Sequence, residues 1–356
     1  MKILSAKIEG DYLTWLNIWR QWEGKEIFAH PDYLNLFDDY SHAMCAVVSK
    51  DDQMVIYPFC LRSLSEDLNI NMDGISYSDI ISPYGYGGLY QIGNGNFESL
   101  IEEFYLKFSD WAVSQNVISE FIRFDLFSQS RVQYNGEISY NNDNVVCDLR
   151  KGKDTIWKEF KAKVRNNVRK ALKSGISLEL DFTGENIDAF LDIYYATMDR
   201  RQAENQYYFK KEFFERIHEK LKGNFVYFLA IKDEKVVSAD LVLISDQRIY
   251  SFLSGTDSDA FQYRPNDFIK YQIINWGVDA GKMDYILGGG YKPMDSLFNY
   301  KKAFAPQRIL PFYVGKKIYN PEIYDILVES KKQELLNNSS VLDEKCEFFP
   351  LYRRNG

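Results

Sequence analysis

The chain has 356 residues, of which 46% are hydrophobic and 26% are charged, and its formal net charge is −8. That length fits two domains of ordinary size, and the composition excludes an intrinsically disordered chain. The negative total argues against a DNA-binding protein, although a local basic patch can still occur.

The sequence indicates neither a metal centre nor a membrane segment. Cys45, Cys60, Cys147 and Cys346 form no CxxC pair, so we expect reduced, buried thiols and no bound metal. The first residues lack an apolar run of signal-peptide length, and no stretch approaches the roughly 18 apolar residues of a membrane span. We therefore predict a cytoplasmic protein without a membrane span.

Two segments of the chain resemble copies of one structural unit. Residues 46–62 and 228–244 each hold two apolar stretches around an acidic turn, which is typical of a β-hairpin. A helix and another strand follow each hairpin, and Trp111 and Trp276 occupy matching places in the two helices. We predict an α/β (α+β) fold with two tandem domains, each a mixed sheet flanked by helices.

The domain boundary is predicted after residue 150, where a strand ends and a basic helix begins. Residues 1–150 form the first domain in this interpretation, and residues 151–309 form the second. A late strand and a helix, 311–319 and 321–336, are expected to pack back on the first domain, so that residues 310–356 complete it.

A basic segment opens the second domain. Residues 151–173 contain nine Lys and Arg against two acids, and apolar residues at helical spacing predict one helix from Asp154 to Lys173. Arg165 and Arg169 are candidate phosphate ligands, because guanidinium makes planar bidentate contacts. A solvated helix face is the alternative.

The segment from 194 to 209 is predicted to begin as a helix and end as a polar loop. Arg200 and Tyr208 offer a cation and a phenol, which suit an anionic or sugar-like acceptor. An ordinary connection between two helices explains the same residues.

The strand SADLVLIS places Asp240 among apolar neighbours. Such a carboxylate is costly unless it is paired, and desolvation raises its pKa toward the range of a general base. An exposed edge strand is the alternative. Tyr250 on the following strand is a candidate substrate contact, as is Asn266 at a predicted helix N-terminus, where free amides favour an anion. An N-cap without a ligand explains Asn266 equally well.

Three consecutive glycines end the next predicted strand. Gly288–Gly290 permit a close backbone approach to a ligand or an unusual turn. Tyr300 and Lys301 follow, and a lysine there could stabilise a developing oxyanion or hold a phosphate. A surface lysine is the alternative.

The order of these motifs resembles the Fem-type transferases of the GNAT superfamily, relatives of enzymes that add amino acids to the peptidoglycan bridge. The motifs are SPYGYGG at 82–88, W-x-x-F-x-x-K-x-R-x-x-x-R-K-A at 157–171, TMDRR at 197–201, PNDFI-x-Y at 265–271, LGGGY at 287–291 and YKKAF at 300–304. The resemblance implies two GNAT-like domains, with donor and acceptor meeting in or near the second. It also implies a functional lysine at Lys301 and acceptor contacts from Arg200 and Tyr208.

We therefore predict transfer of an acyl or aminoacyl group to an amine of a cell-envelope or nucleotide-sugar precursor. Asp240, or a water that it orients, would take the amine proton, and Lys301 would stabilise the oxyanion. The donor is acyl-CoA or an aminoacyl-tRNA. The GNAT pyrophosphate loop, Arg/Gln-x-x-Gly-x-Gly/Ala, is absent between Thr256 and Phe268, which favours the tRNA-dependent ligase as the alternative. A third hypothesis is a non-catalytic saccharide-binding module, given the 26 tyrosines.

Overall fold

The computed structural model describes residues 1–37, 41–68, 74–127, 130–337 and 348–354, in which strands alternate with helices. Up to residue 151 the elements are β1 (Lys2–Ser5), α1 (Glu9–Gln21), α2 (Pro31–Asn35), β2 (Ser41–Lys50), β3 (Gln53–Ser63), α3 (Leu64–Asp67), β4 (Ser78–Ile81), β5 (Tyr90–Ile92), α4 (Glu98–Ser114), β6 (Val117–Arg123) and β7 (Glu137–Asp148). The remainder are α5 (Lys153–Glu159), α6 (Ala162–Lys173), β8 (Ser177–Asp181), α7 (Ile187–Arg201), α8 (Lys211–Lys220), β9 (Phe225–Lys232), β10 (Lys235–Ile244), β11 (Arg248–Thr256), α9 (Pro265–Asp279), β12 (Asp284–Gly288), α10 (Ser296–Lys302), β13 (Ile309–Ile318) and α11 (Pro321–Asn337).

The chain divides into two units, each with its own apolar core. Unit 1 comprises Met1–Trp22, Phe28–Asn141 and Phe312–Gly356, and unit 2 comprises Glu23–Ile27 and Asn142–Pro311. The division therefore falls within β7, whereas the sequence interpretation places it after that strand. Among the described residues, we find no helix that combines the length and the apolar character needed to cross a bilayer.

The sheet of unit 1 has the strand order β1-β2-β3-β4-β6-β13, and β5 also pairs with β3. β2 and β3 form the predicted hairpin, and β4 and β6 are parallel. One face of the sheet is covered by α4, whose Phe104 and Phe108 pack in a core with Tyr57 and Phe59. α11 contributes Leu327 to a smaller cluster with neighbouring side chains.

The sheet of unit 2 has the order β7-β12-β11-β10-β9-β8. β9 and β10 form the second predicted hairpin, and β11 and β12 are parallel, with α9 between them in the chain. Each unit thus has a hairpin, then a parallel pair of strands with a helix between them. The predicted pair of related mixed sheets flanked by helices is confirmed.

The single helix predicted from Asp154 to Lys173 is wrong. The chain is extended at Phe160 and Lys161, which separate α5 from α6. The break has a physical cause in packing, because the buried Phe160 ring contacts Phe304 at a centroid distance of 5.5 Å. The N–H of Lys161 donates to the carbonyl of Ala303 at 2.9 Å, so a bond outside the helix replaces one within it.

Three of the four cysteines have the predicted state. Cys45, Cys60 and Cys147 are buried thiols. Cys346 lies outside the described residues.

Candidate active site

Asp240 is a buried carboxylate in the middle of the sheet of unit 2. Its residue is 3% exposed, and β10 pairs with β9 on one side and with β11 on the other. The alternative of an exposed edge strand is therefore wrong. Burial raises the pKa of the Asp240 carboxyl above its usual range, while the nearby ammonium of Lys270 acts in the opposite direction.

Lys270 of α9 is the direct partner of Asp240, and the sequence interpretation missed it. Its Nζ donates to Asp240 Oδ1 at 3.0 Å, to Ser251 Oγ at 2.8 Å and to Tyr285 Oη at 3.2 Å. These acceptors lie on β10, β11 and β12, so one ammonium links three adjacent strands. Although burial opposes it, the attraction of Asp240 raises the pKa of Lys270, which therefore stays charged at neutral pH.

The parallel strands β11 and β12 diverge close to this ammonium. They pair over three residue pairs, of which the last is Tyr250 with Ile286. Beyond that point Gly288 pairs with Val145 of β7, whereas β11 continues to Thr256 beside β10. We call this divergence the fork. It leaves backbone groups of β11 unpaired by β12, and such groups can bind an extended substrate.

Lys301 approaches the fork from α10. Its Nζ donates to the carbonyl of Gly289 at 2.7 Å and would lie 3.3 Å from a Cβ built on Gly288, which has φ of 82°. Burial and the charge of Lys270 lower the pKa of Lys301 to about 7, although Asp240 and Asp295 oppose the shift. At neutral pH, a large fraction of Lys301 is thus an uncharged amine.

The glycine loop and the start of α10 are held together by Asp295. Its carboxylate accepts from the backbone N–H groups of Tyr291, Lys292 and Phe298 at 2.7–3.0 Å, and it is the N-cap of α10. A Cβ on Gly290 would lie 2.2 Å from Asp295 Oδ1. Only glycine therefore allows this approach. The capped start of α10 in turn determines the position of Lys301, which lies on the same helix.

Tyr300 and Asp267 lie in the same electrostatic environment. Burial raises the pKa of Tyr300, and the carboxylates of Asp267 and Asp240 raise it further. Its Oη is buried and has no hydrogen-bond partner among the described residues. Asp267, which the sequence interpretation also missed, accepts from Asn167 Nδ2 at 3.1 Å, and burial raises its pKa. An unsatisfied buried hydroxyl is costly, so the Tyr300 hydroxyl is available to a ligand.

Three predicted site residues, Arg165, Tyr250 and Asn266, bind other parts of the protein. Arg165 donates from Nη1 to the carbonyl of Lys158 at 3.1 Å and to that of Phe160, and so caps α5. Tyr250 points away from Lys270, because its neighbour on the strand, Ser251, faces that ammonium. The Tyr250 Oη donates to Glu26 at 2.7 Å.

Asn266 joins the N-terminus of α9 to the sheet. Its Oδ1 accepts from Ser238 Oγ at 3.0 Å and from Thr256 Oγ1. It therefore does not act as the predicted free N-cap, and the residue in the N-cap position is Arg264, which has φ of 61°.

The remaining candidates lie on the outer part of unit 2. Arg169 is exposed and lies over the Trp157 ring at 5.4 Å. Arg200 donates to the Thr256 carbonyl at 3.2 Å, at the end of β11. Tyr208 donates to Asp199 at 2.8 Å and is close to solvent. The structure thus brings Asp240, Tyr300 and Lys301 together. Arg169, Arg200 and Tyr208 lie outside that cluster.

Residues 158–302, which include the whole cluster, match the family Acetyltransferase (GNAT) domain. Unit 2 carries a GNAT acetyltransferase domain. No curated protein matches the chain.

Solved structures resemble this chain over nearly its whole length. FemX is 12% identical, with a TM-score of 0.67, and the match covers 92% of this chain and 99% of FemX. L-PGS from Bacillus licheniformis is 12% identical, with a TM-score of 0.56 and coverage of 91% and 96%. A tandem GNAT protein from the clavulanic acid biosynthesis pathway is 8% identical, with a TM-score of 0.50 and coverage of 90% and 99%. At these identities the likeness concerns the fold, and it confirms the predicted Fem-like pair of tandem GNAT-like domains.

Proposed function

We propose that unit 2 transfers an acyl or aminoacyl group to an amine of a cell-envelope or nucleotide-sugar precursor. The observation that carries the proposal is Lys301, a partly buried amine with a pKa of about 7 that donates to the Gly289 carbonyl of the glycine loop beside the fork. Acyl transfer to an amine needs a group that accepts a proton near neutral pH, because the attacking nitrogen must lose one.

The chemistry follows from the positions of these groups. The acceptor nitrogen attacks the acyl carbonyl, which forms a C–N bond and a tetrahedral oxyanion. The nitrogen gives a proton to Lys301 Nζ, and collapse of the oxyanion breaks the bond to the leaving group. CoA leaves as its thiolate, whereas the ribose oxygen of tRNA takes the proton from Lys301 and leaves as a hydroxyl. Tyr300 Oη is the donor that we assign to the oxyanion. Two bound substrates react faster than free ones because their encounter is already complete.

We assign the proton to Lys301 rather than to Asp240, to which the sequence interpretation gave it. Although burial raises the pKa of Asp240, its Oδ1 already accepts a hydrogen bond from Lys270, and protonation of Asp240 would leave that buried ammonium without its counter-charge. Asp240 then supports the site by balancing the charge of Lys270.

Lys301→Ala tests the proposal directly. We expect this substitution to lower kcat by about 10²-fold or more, because it removes the proton acceptor. The assay supplies acetyl-CoA or a charged tRNA as donor and a nucleotide-sugar-linked peptide with a free amine as acceptor, with mass spectrometry of the product. For the unchanged protein, kcat should rise with pH through about 7 as Lys301 loses its proton.

Lys302→Ala is the matched control, because it removes the adjacent lysine of α10, whose Nζ lies over the Phe298 ring at 5.7 Å. It should retain activity. Equal rates for the Lys301 and Lys302 variants would refute the assigned role.

The second candidate function is a ligase that uses aminoacyl-tRNA as its donor. A basic surface of unit 2 favours it. The basic surface, as we name it, consists of exposed lysines on α5 and α6 and between them, which have no ion-pair partner among the described residues: Lys158, Lys161, Lys163, Lys170 and Lys173. Clustered cations of this kind bind phosphate groups with local, salt-dependent attraction.

The two donors are distinguished by binding. Replacing Lys163, Lys170 and Lys173 by Gln should weaken charged-tRNA binding and reduce its salt dependence, since each lost phosphate contact lowers the slope of log K against log salt by about one. Replacing three exposed lysines elsewhere, Lys50, Lys107 and Lys222, is the control. Tight binding of acetyl-CoA with no tRNA binding at low salt would exclude the tRNA donor.

A further inference from the structure

Lys270 has no role in the transfer step described above, yet its contacts are unusually complete. An ammonium has three N–H donors, and those of Lys270 all have acceptors, one on each of β10, β11 and β12. The residue is 5% exposed. A buried charge costs free energy unless it is fully paired, so a neutral side chain would be the simpler way to fill this space.

Unit 1 provides an internal comparison for this position. Counted from the turn, the fifth residue pair of the β2–β3 hairpin in unit 1 contains Tyr57. The fifth pair of the β9–β10 hairpin in unit 2 contains Asp240. The extra residue in β10 at Val237, where the register shifts, brings these two positions into correspondence.

The helices give the other correspondences. Aligning Trp111 with Trp276 aligns Tyr105 with Lys270 and Glu120 with Tyr285.

The corresponding cluster of unit 1 is polar but holds no ammonium at these three positions. Tyr57 donates to Glu120, and Tyr319 donates to Glu120 Oε2 at 2.6 Å. Burial raises the pKa of Glu120, which lies next to Tyr105. The fold is therefore compatible with a buried polar cluster that lacks a lysine here. A nearby ammonium of unit 1, Lys317 on β13, acts on Glu120 from a different position, so it is the placement of the cation on α9 that distinguishes unit 2.

We propose that Lys270 is a positioning residue for the acyl transfer of unit 2: its ammonium joins β10, β11 and β12 at the fork and, paired with Asp240, sets the charge balance around Lys301. The role that we assign to Lys270 in acyl transfer rests on the proposed function. The effect of Lys270 on the pKa of Lys301 can be measured whether or not that function is correct.

The charged groups that face Lys301 are few. They are Lys270 on α9, Asp240 on β10 and Asp295 before α10, and the Gly289 carbonyl accepts from the amine. Lys270 favours the uncharged form, and the two carboxylates favour the charged form. Lys270 and Asp240 therefore act on Lys301 in opposite directions, and removing either one should leave the effect of the other unopposed.

Two substitutions therefore have opposite predicted effects. Lys270→Met leaves Asp240 unbalanced and should raise the pKa of Lys301 by about one unit or more, which would lower the amine fraction at pH 7 from about one half to about one tenth. Asp240→Asn leaves Lys270 unbalanced and should lower the pKa of Lys301. Lys270→Arg keeps the charge and should leave the pKa close to that of the unchanged protein. A purely structural role for Lys270 predicts no such reversal of sign.

The measurement is an NMR pH titration of the full chain labelled at lysine ¹³Cε, with the Lys301 signal assigned by its loss in Lys301→Arg. Opposite shifts in Lys270→Met and Asp240→Asn support the inference. A Lys301 midpoint above 9 in the unchanged protein, or shifts of the same sign in both variants, would overturn it. Should Lys270→Met fail to fold by circular dichroism, the comparison of Lys270→Arg with Asp240→Asn decides.

The same variants separate this inference from the proposed function. Opposite shifts without acyl transfer to any tested amine would leave the charge coupling in place and count against the proposed function. Acyl transfer with an unshifted Lys301 would support the function and overturn the role of Lys270. If both hold, Lys270→Met should move the rise of kcat to higher pH with little change in KM.

Discussion

Gly290 is the residue at which the backbone of the candidate site has least freedom. A methyl group there would overlap the carboxylate of Asp295, which caps α10 and accepts three backbone N–H groups. The carboxylate can move only by giving up some of those hydrogen bonds. Because Lys301 is on the same short helix, a displaced cap changes the place of the amine.

Gly290→Ala should therefore reduce activity by about tenfold or more, since a shift of the order of 1 Å in a reacting group is costly. Gly10→Ala is the control, because a Cβ at Gly10 meets nothing within 4 Å and alanine favours α1. The kcat of each variant in the transfer assay checks this. Full activity in Gly290→Ala would show that the loop tolerates the methyl group.

At this scale the sequence predicted some residues and missed others for physical reasons. The alternation around Asp240 correctly indicated a shielded carboxylate. Lys270 was missed because a lysine usually marks the solvent face of a helix. The available signal was that α9 has apolar residues on all sides, including Phe268, Ile269 and Ile273, so that it has no solvent face near Lys270. Tyr250 was taken as a candidate substrate contact, although alternation alone does not say which face of β11 is lined by α9.

Among the elements, α5 and α6 show that a periodic pattern of apolar residues does not reveal where a helix is broken. The apolar residues continue at helical spacing across the break, so they predicted one helix. The break depends on contacts remote in sequence, namely Phe304 against Phe160 and the Ala303 carbonyl with Lys161. Arg165 was taken as a phosphate ligand for the same reason, because its role as a cap exists only once α5 has ended.

Arg165→Met should lower the stability of unit 2 by about 1–3 kcal/mol, since it leaves two backbone carbonyls without their charged donor. A loss of this size corresponds to a fall in Tm of about 2–4 °C per kcal/mol. Arg169→Met is the matched control, because Arg169 is exposed and, within the described part of the chain, it contacts Asn166 on its own helix and the face of the Trp157 ring but no backbone carbonyl of α5. Calorimetry of both variants is the measurement, and equal melting temperatures would contradict the capping role.

On the scale of the whole molecule, the two units differ in how they use the chain. Asn142–Pro311 supplies almost all of unit 2, and only Glu23–Ile27 is added from elsewhere. Unit 1 instead depends on β13 and α11, which are made after unit 2. Leu327 and Val328 of α11 pack with Leu64 and Ile118 of the first segment.

A fragment of residues 142–311 should consequently fold alone, whereas a fragment of residues 1–141 should not. The second fragment exposes the apolar cluster around Ile118 and an edge of β6 that normally pairs with β13. Circular dichroism and amide hydrogen exchange check this, and adding residues 312–354 as a separate peptide is the control. Protected amides in the isolated 1–141 fragment would contradict the expectation.

The cluster of tyrosine and glutamate side chains in unit 1 indicates how many active sites a chain with two related units should have. In unit 1, Tyr105 takes the place of Lys270, and the ammonium that acts on Glu120 is that of Lys317 on β13, so we expect this copy to serve as framework. A titration with a tight-binding bisubstrate analogue should then saturate at one equivalent per polypeptide, not two.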